Sequence, residues 1–430
     1  MTWRRTALAL PVSLLASPAL AQVGEGLIVN PDVPQDFDRG RNVSVQEQFR
    51  PDYAPLGVRL GGMTFFPRLE AGGGGTTNAY LGSDEKTAAA FAYVRPSARL
   101  TSGWSRHFLQ LSGTATLRNY LGESRRNERL WNADARGRVD VSRTFEIDLN
   151  ANASRNFENV FSGEVASSVA ALSRYRRDFA SAQATYTNGR IRTFLLADYA
   201  DFRFQPLPLA DGSVRDQSDR NRSVARLTGQ IEYARTPSIA LFAQLSGSST
   251  DFTDSASTTG PLQDSKAARL LGGVNVDIAG RIRGTISVGY SIRDYKSGTF
   301  STVRGVSIDT RVEAFPTPRL TIGATGQRTI EDSTLNNRAP FWNTRFSVRA
   351  DYELLRNLIV NATADFSRQR YIDTPLRGNI NRASTGARYL ASRRVSLEGS
   401  VSYSRRSTND AFTLGAVSEG RLDLGLAYHL

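Results

Sequence analysis

The only imidazoles in this 430-residue chain are His107 and His429, and it contains no cysteine. Hydrolysis of the serine type needs a nucleophile within hydrogen-bond reach of a base, and a third group to orient that base. His107 directly follows a short turn and His429 is the penultimate residue, which sets both near one rim of the strand pattern described below. That position disfavours a Ser-His hydrolase working at the opposite rim. Each imidazole is expected to hydrogen-bond at the interface, so the chain reads as a non-enzyme with no catalytic residues. Lack of cysteine excludes a disulfide framework and thiolate metal sites, and no cofactor is implied. The Gly72–Gly75 run has neither the lysine nor the following helix of a phosphate loop. It is expected to let a strand bend or lie against a plug.

The chemistry that remains is that of arginine. Arg106, Arg143, Arg190, Arg235, Arg281, Arg319, Arg356 and Arg393 each lie on or beside a short turn. In a closed structure they form a ring at one mouth. Such a ring can gather an anionic polymer or dock a partner, or it can reach lipid phosphates. A second set takes the polar parity of its strands and is expected to line a lumen: Arg118, Arg136, Arg192, Arg226, Arg283, Arg311, Arg349 and Arg388, with the aromatic residues Phe108, Tyr120, Phe194 and Phe242. Carboxylates of the same parity are similar in number, so much of the lumen charge should be paired. Aromatic faces inside a pore could stack on sugar rings. A bulge or one-residue slip turns such a residue to lipid, the fate expected for about half of them.

The elements that must position these residues are hairpins. Between Ala268 and Ile292 the apolar residues Leu270, Val274, Val276 and Ile278 alternate with polar ones, turn through Ala279-Gly280-Arg281, and resume as Ile282, Ile286, Val288, Tyr290 and Ile292. A period of two sustained on both sides of a glycine turn is an antiparallel hairpin with one apolar face. At about 3.3 Å per residue, each arm is long enough to cross a tilted hydrocarbon layer of about 30 Å. The pattern recurs from Thr64 onward, with eight short turns about forty residues apart and longer polar connections between them. Short turns on one side and long loops on the other mark a transmembrane barrel, its turns periplasmic and its loops outside. Eight hairpins, one strand before (Phe65 to Gly73) and one after (Arg421 to Leu430) give an all-β antiparallel barrel of about eighteen strands, with sixteen as the alternative count.

Three segments follow. Residues 1–21 carry Arg4 and Arg5, a short apolar run and an Ala19-Leu20-Ala21 site, the pattern of a signal peptide. Residues 22–63, punctuated by Pro31, Pro34, Pro51 and Pro55, are expected to be irregular, either a partial plug or a disordered periplasmic tail. Residues 64–430 form the barrel. The formal charge of +13 falls to +11 once Arg4 and Arg5 leave. Nucleic acid is excluded as a partner by the signal peptide and the dispersal of arginine; outer-membrane lipid, lipopolysaccharide or an anionic solute fits better. The final strand, with Leu422, Leu424, Leu426, Tyr428 and Leu430 on one face, is similar to the signal read by the outer-membrane assembly machinery, although that signal commonly ends in Phe. The place expected is the outer membrane of a Gram-negative bacterium.

The run Arg50-Pro51-Asp52-Tyr53-Ala54-Pro55-Leu56-Gly57-Val58-Arg59-Leu60-Gly61, then Phe65-Phe66-Pro67-Arg68-Leu69-Glu70, resembles the entry segment of the putative β-barrel porin type 2 family. Arg95-Pro96-Ser97-Ala98-Arg99-Leu100 and Gly103-Trp104-Ser105-Arg106-His107 resemble it too. The family's Asp-Asn pair after the first strand is replaced by Thr77-Asn78-Ala79-Tyr80. The resemblance implies a pore for exopolysaccharide or capsule secretion, with an exported polysaccharide and a periplasmic export protein as partners. A general diffusion porin is the second reading and a structural or adhesive barrel the third.

Overall fold

The computed structural model describes residues 43–83, 86–158, 161, 172–209, 213–253, 263–333, 340–409 and 415–430. The segment expected to be a signal peptide, the first part of the lead segment and parts of the long loops lie outside these residues. Among the described residues no helix is long and apolar enough to cross a membrane.

Eighteen antiparallel strands of 12 to 15 residues close into one barrel. In order they are Met63–Thr76, Ala89–Ser102, Phe108–Tyr120, Glu128–Asp140, Phe145–Phe157, Arg174–Asn188, Ile191–Phe204, Arg222–Thr236, Ile239–Phe252, Ser265–Ile278, Ile282–Tyr295, Val303–Thr317, Leu320–Glu331, Phe341–Leu355, Leu358–Tyr371, Arg377–Leu390, Val395–Thr408 and Val417–His429. Each pairs with its neighbours in sequence. The last closes on the first, from Arg68 opposite His429 to Thr76 opposite Arg421. Closure removes every sheet edge, which a hydrocarbon layer requires because it offers the backbone no hydrogen-bond partner.

The alternation predicted for the hairpin at Ala268 to Ile292 is the alternation of the wall. Leu270, Val288, Tyr290 and Ile292 face outward and are exposed, while Arg269, Asn275, Asp277, Thr285 and Ser287 face inward and are buried. Leu271, the one apolar residue of inward parity there, packs on Phe242. Two aromatic girdles bound the apolar band. Tyr186, Tyr233, Tyr352, Tyr389 and Tyr428 stand outward at the short-turn end, and Tyr199, Tyr290, Phe346, Phe366 and Tyr403 at the long-loop end. Amphipathic rings at both interfaces are the signature of a barrel held in a bilayer.

Three expectations change. The first strand continues through Pro67 and the glycines to Thr76, three residues beyond Gly73. The lead is not irregular up to residue 63: Val58–Leu60 is a short strand paired with Met63–Phe65. The glycines do not lie against a plug. Tyr93 and Phe91 lie over Gly72 and Gly74, where a Cβ would stand 2.8 Å from each ring and collide with the carbonyls of Leu424 and Leu422 on the closing strand. Glycine here lets two inward rings lie flat on the wall. A further connection, residues 77–88, joins the first two strands.

Candidate functional site

Strand register places all twelve lumen candidates on the inward face. Arg118 lies opposite Glu128, Arg136 opposite Gln110, Arg192 and Phe242 opposite Glu232, Arg226 opposite Asp198, Arg283 opposite Asp277, and Arg388 opposite Glu398. Arg311 and Arg349 project beside Glu313 and Asp351, Phe108 lies opposite Arg138, Tyr120 opposite Phe91, and Phe194 opposite Gln230. No slip turns any of the four aromatics to lipid, contrary to the expectation for about half. Tyr120, Phe194 and Phe242 are nonetheless buried, whereas Phe108 opens onto a cavity. The guanidinium of Arg126 covers Tyr120 at 4.8 Å. Of the four, Phe108 is the one whose ring lines a lumen cavity.

The inward charges form linked clusters. Glu70, 1% exposed, accepts from Arg68 at 2.8 Å, Arg95 at 3.2 Å and the Tyr93 hydroxyl at 2.8 Å. Arg68 also reaches Glu398 at 2.9 Å, which holds Arg388 at 3.0 Å. Glu128 is clasped by Arg118 and by Arg126, with Arg421 on Asp423 alongside. Round the wall come Arg226 to Asp198 at 2.8 Å, Arg269 to Asp309 at 3.3 Å and Arg283 to Glu313 at 2.7 Å. Buried charge is tolerated only when paired, and each charge in these clusters has an ion-pair partner, although Arg68, Arg118 and Arg269 each keep a buried N–H with no acceptor among the described residues. Glu70 and Arg95 are members that the twelve did not include. Their parity in the entry motifs, with Arg68, was the signal available.

Across the short-turn mouth lies the lead, Val43 to Gly57, and its partners are inward side chains. The Val45 N–H donates to the Thr321 hydroxyl at 2.9 Å, and the Gln46 amide to Asp351 at 2.6 Å. Glu47 faces Arg283 at 3.3 Å, and Arg50 binds Glu353 at 2.6 Å. The Glu47 carboxyl is held below its usual range: burial pushes it up, but the Ser44 N–H and hydroxyl, with the Arg283 charge, outweigh that. Each of these ties is polar. Two cavities flank the segment. One, of about 280 Å³, is lined by Glu47, Glu70, Tyr93, Arg349, Asn361 and Asp423. The other, of about 370 Å³, runs between Phe49, Tyr53 and Pro55 of the lead and Phe66, Arg99 and Phe108 of the wall.

All eight turn arginines are exposed at this same mouth. Arg106 donates to the carbonyls of Asp140 and Val141, and Arg393 to the Pro51 carbonyl of the lead. Arg190, Arg235, Arg281, Arg319 and Arg356 form no ion pair among the described residues. His107 accepts from the Asp140 N–H at 3.1 Å, and His429 hydrogen-bonds the Ser396 hydroxyl at 3.0 Å. Leu422, Leu424, Leu426, Tyr428 and Leu430 all face outward.

A family model described as putative beta-barrel porin 2 matches residues 50–426. The chain belongs to that family. The porin is thus an outer-membrane β-barrel, whose apolar band and two girdles suit that membrane. Among solved structures it is similar to the ferric citrate transporter FecA in the unliganded form, at 12% identity and a TM-score of 0.42, covering 83% of this chain and 61% of that one. It is similar to the siderophore receptor PirA from Pseudomonas aeruginosa at 10% identity and a TM-score of 0.44, over 85% of this chain and 80% of that one. It is also similar to Pseudomonas aeruginosa OpdL at 12% identity and a TM-score of 0.42, over 86% and 99%. The porin spans about three fifths of FecA's length. At such identity these likenesses say nothing of what it conducts. A search of the curated proteins finds no match.

Proposed function

We propose that the porin is the outer-membrane pore of an exopolysaccharide or capsule export system. The observation that supports this reading best is the inner mouth, where exposed arginines ring a lead segment whose ion pairs and hydrogen bonds to the wall are joined by one fully buried apolar side chain, Val45. Polar ties exchange for water at little net cost, so such a segment can be displaced. An anionic polymer gathered by the ring competes with Glu47 and Glu353 for Arg283 and Arg50. A periplasmic export protein with an acidic face would dock on the same ring. Beyond the mouth, paired wall charges present the chain with few unpaired cations to bind and hold it.

The test replaces Arg143, Arg190, Arg281 and Arg356 together by Gln. Secretion should fall and polymer collect in the periplasm, while the barrel still assembles and shows normal heat-modifiable migration. Normal secretion by an assembled variant would sink the reading. A general diffusion porin is the second reading, favoured by cavities of about 280 and 370 Å³ that suit one or two sugar units. Intact secretion in a deletion strain, together with monosaccharide-driven swelling of vesicles carrying the pure protein, would establish it instead.

A further inference from the structure

The outward face of the wall carries charge only beyond the girdles, and on one arc that charge is of a single sign. On the six strands from Val303 to Thr408 the outward positions hold arginines and no carboxylate. Four of these arginines lie together just past Phe366 at the long-loop end. Arg370 sits directly opposite Arg377 in the register. Arg368 and Arg328 flank Thr344, one on each side in the same cross-strand row. At about 4.8 Å between strands and about 3.4 Å per residue, the backbones of Arg368, Arg370 and Arg377 fall within about 9 Å of one another, with Arg328 about 10 Å from Arg368 on the other side. The Arg328 guanidinium lies over the Trp342 ring at 4.7 Å, and its buried Nε finds no acceptor among the described residues. None of the four forms an ion pair among the described residues, and neither does Asp373 in the next turn.

Like charges directly opposite one another in a sheet are destabilising, and nothing described in the chain offsets this pair. About half-way round the barrel the same rim is built differently. There Arg176 is held by Asp178 and Arg203 by Asp201, each at 2.8 Å within its own strand. Arg176 there also faces Arg155 and Arg203 across the register, but the protein supplies a carboxylate to two of the three; at Arg370 and Arg377 the described residues supply none.

We propose that the Arg328, Arg368, Arg370 and Arg377 patch binds the phosphate groups of an acylated, phosphorylated glycolipid of the outer leaflet. The apolar band below Phe366 takes the acyl chains, and the guanidinium forks take phosphate oxygens two at a time. A phosphate between Arg370 and Arg377 converts a repulsion into two charge-assisted contacts. The Trp342 ring, at interface depth, holds Arg328 in place for a third. The site lies on the lipid face and does not depend on what the lumen conducts.

The test uses the full-length protein in detergent, with hexa-acylated lipid A carrying both phosphates as the probe and binding read by native mass spectrometry. Arg368→Gln, Arg370→Gln and Arg377→Gln together should weaken binding by about tenfold or more. Dephosphorylated lipid A should bind the wild type as weakly as the phosphorylated lipid binds the variant. Arg176→Gln with Arg203→Gln should leave affinity unchanged. Arg370→Gln alone covers the case in which the triple variant does not fold: removing the repulsion should raise the lipid-free melting temperature while lowering lipid affinity. Equal binding by wild type and Arg370→Gln would overturn the proposal. So would tight binding of the dephosphorylated lipid, or displacement of the lipid by excess inorganic phosphate, which would make the patch a site for free anions.

Discussion

The two faces of one wall handle arginine in opposite ways. Inward, arginines such as Arg118, Arg226 and Arg283 meet a carboxylate on a neighbouring strand, and they are buried or half-buried. Outward, the band between the girdles holds Leu245, Leu270 and Val288, and arginine returns only beyond the aromatic rings. Both patterns follow from the cost of stripping water from a charge. In the lumen, register supplies an opposite charge at hydrogen-bond distance; in hydrocarbon nothing does, so the charge is pushed to the ends. The lumen clusters therefore hold the wall in one arrangement more than they add net stability, since a buried pair roughly repays its own desolvation.

The sharpest way to break this comparison is to orphan a lumen charge. Glu128→Gln keeps the shape but leaves Arg126 buried without its counter-charge and Arg118 with only Asp423 at 3.6 Å, and it should cost about 3–5 kcal/mol of unfolding free energy. Urea unfolding in lipid vesicles measures it. A loss below about 1 kcal/mol would mean that water already reaches these guanidiniums. The matching change on the other face is Val288→Arg, which should cost about 2–4 kcal/mol because it sets a charge at mid-depth in lipid. Asn361→Arg enters the 280 Å³ cavity opposite Asp351 and should cost less than about 1 kcal/mol. Equal costs for Val288→Arg and Asn361→Arg would erase the distinction between the faces.

The barrel was legible because its parity survives along each strand. Where the pairing shifts, at Ala234/Thr236, Ala314/Thr317 and Glu353/Leu355, it does so beside a short turn, after the lumen positions have been counted. That is why the twelve inward residues follow from alternation alone. Pro67 sits inside the first strand for a local reason. The lead strand covers Met63 to Phe65 and the closing strand begins at Arg68, so the missing N–H of Pro67 falls in the gap between two pairings. The capping of Tyr120 by Arg126 was not legible, because it depends on how a loop folds back over the wall. Nor was the seating of the lead, where Gln46 meets Asp351 across 305 residues with no periodicity to announce it.

The lead also carries the smallest of the expected effects, and it lies between the two faces: a charge on a removable segment, half-exposed, paired with a wall arginine. Glu47 titrates below its ordinary value in the seated lead and at about that value, 4.5, once released. A carboxyl depressed in the bound state favours seating at any pH above the ordinary value and loses that contribution as pH falls through the lowered one. Near neutrality the contact with Arg283 should therefore be intact, and it should weaken as pH falls through the lowered value. With a partner this exposed the contact is worth no more than about 0.5 kcal/mol, so the shift in seated population is about twofold. Single-channel conductance in planar bilayers, compared between wild type and Glu47→Gln, isolates it. Both respond to protonation of the lumen carboxylates, but only the wild type has Glu47 to lose, so its conductance should rise relative to the variant as the bath is acidified. Parallel curves would show that Glu47 does not help to hold the segment, leaving Arg50 on Glu353 as its ionic tie to the wall among the described residues.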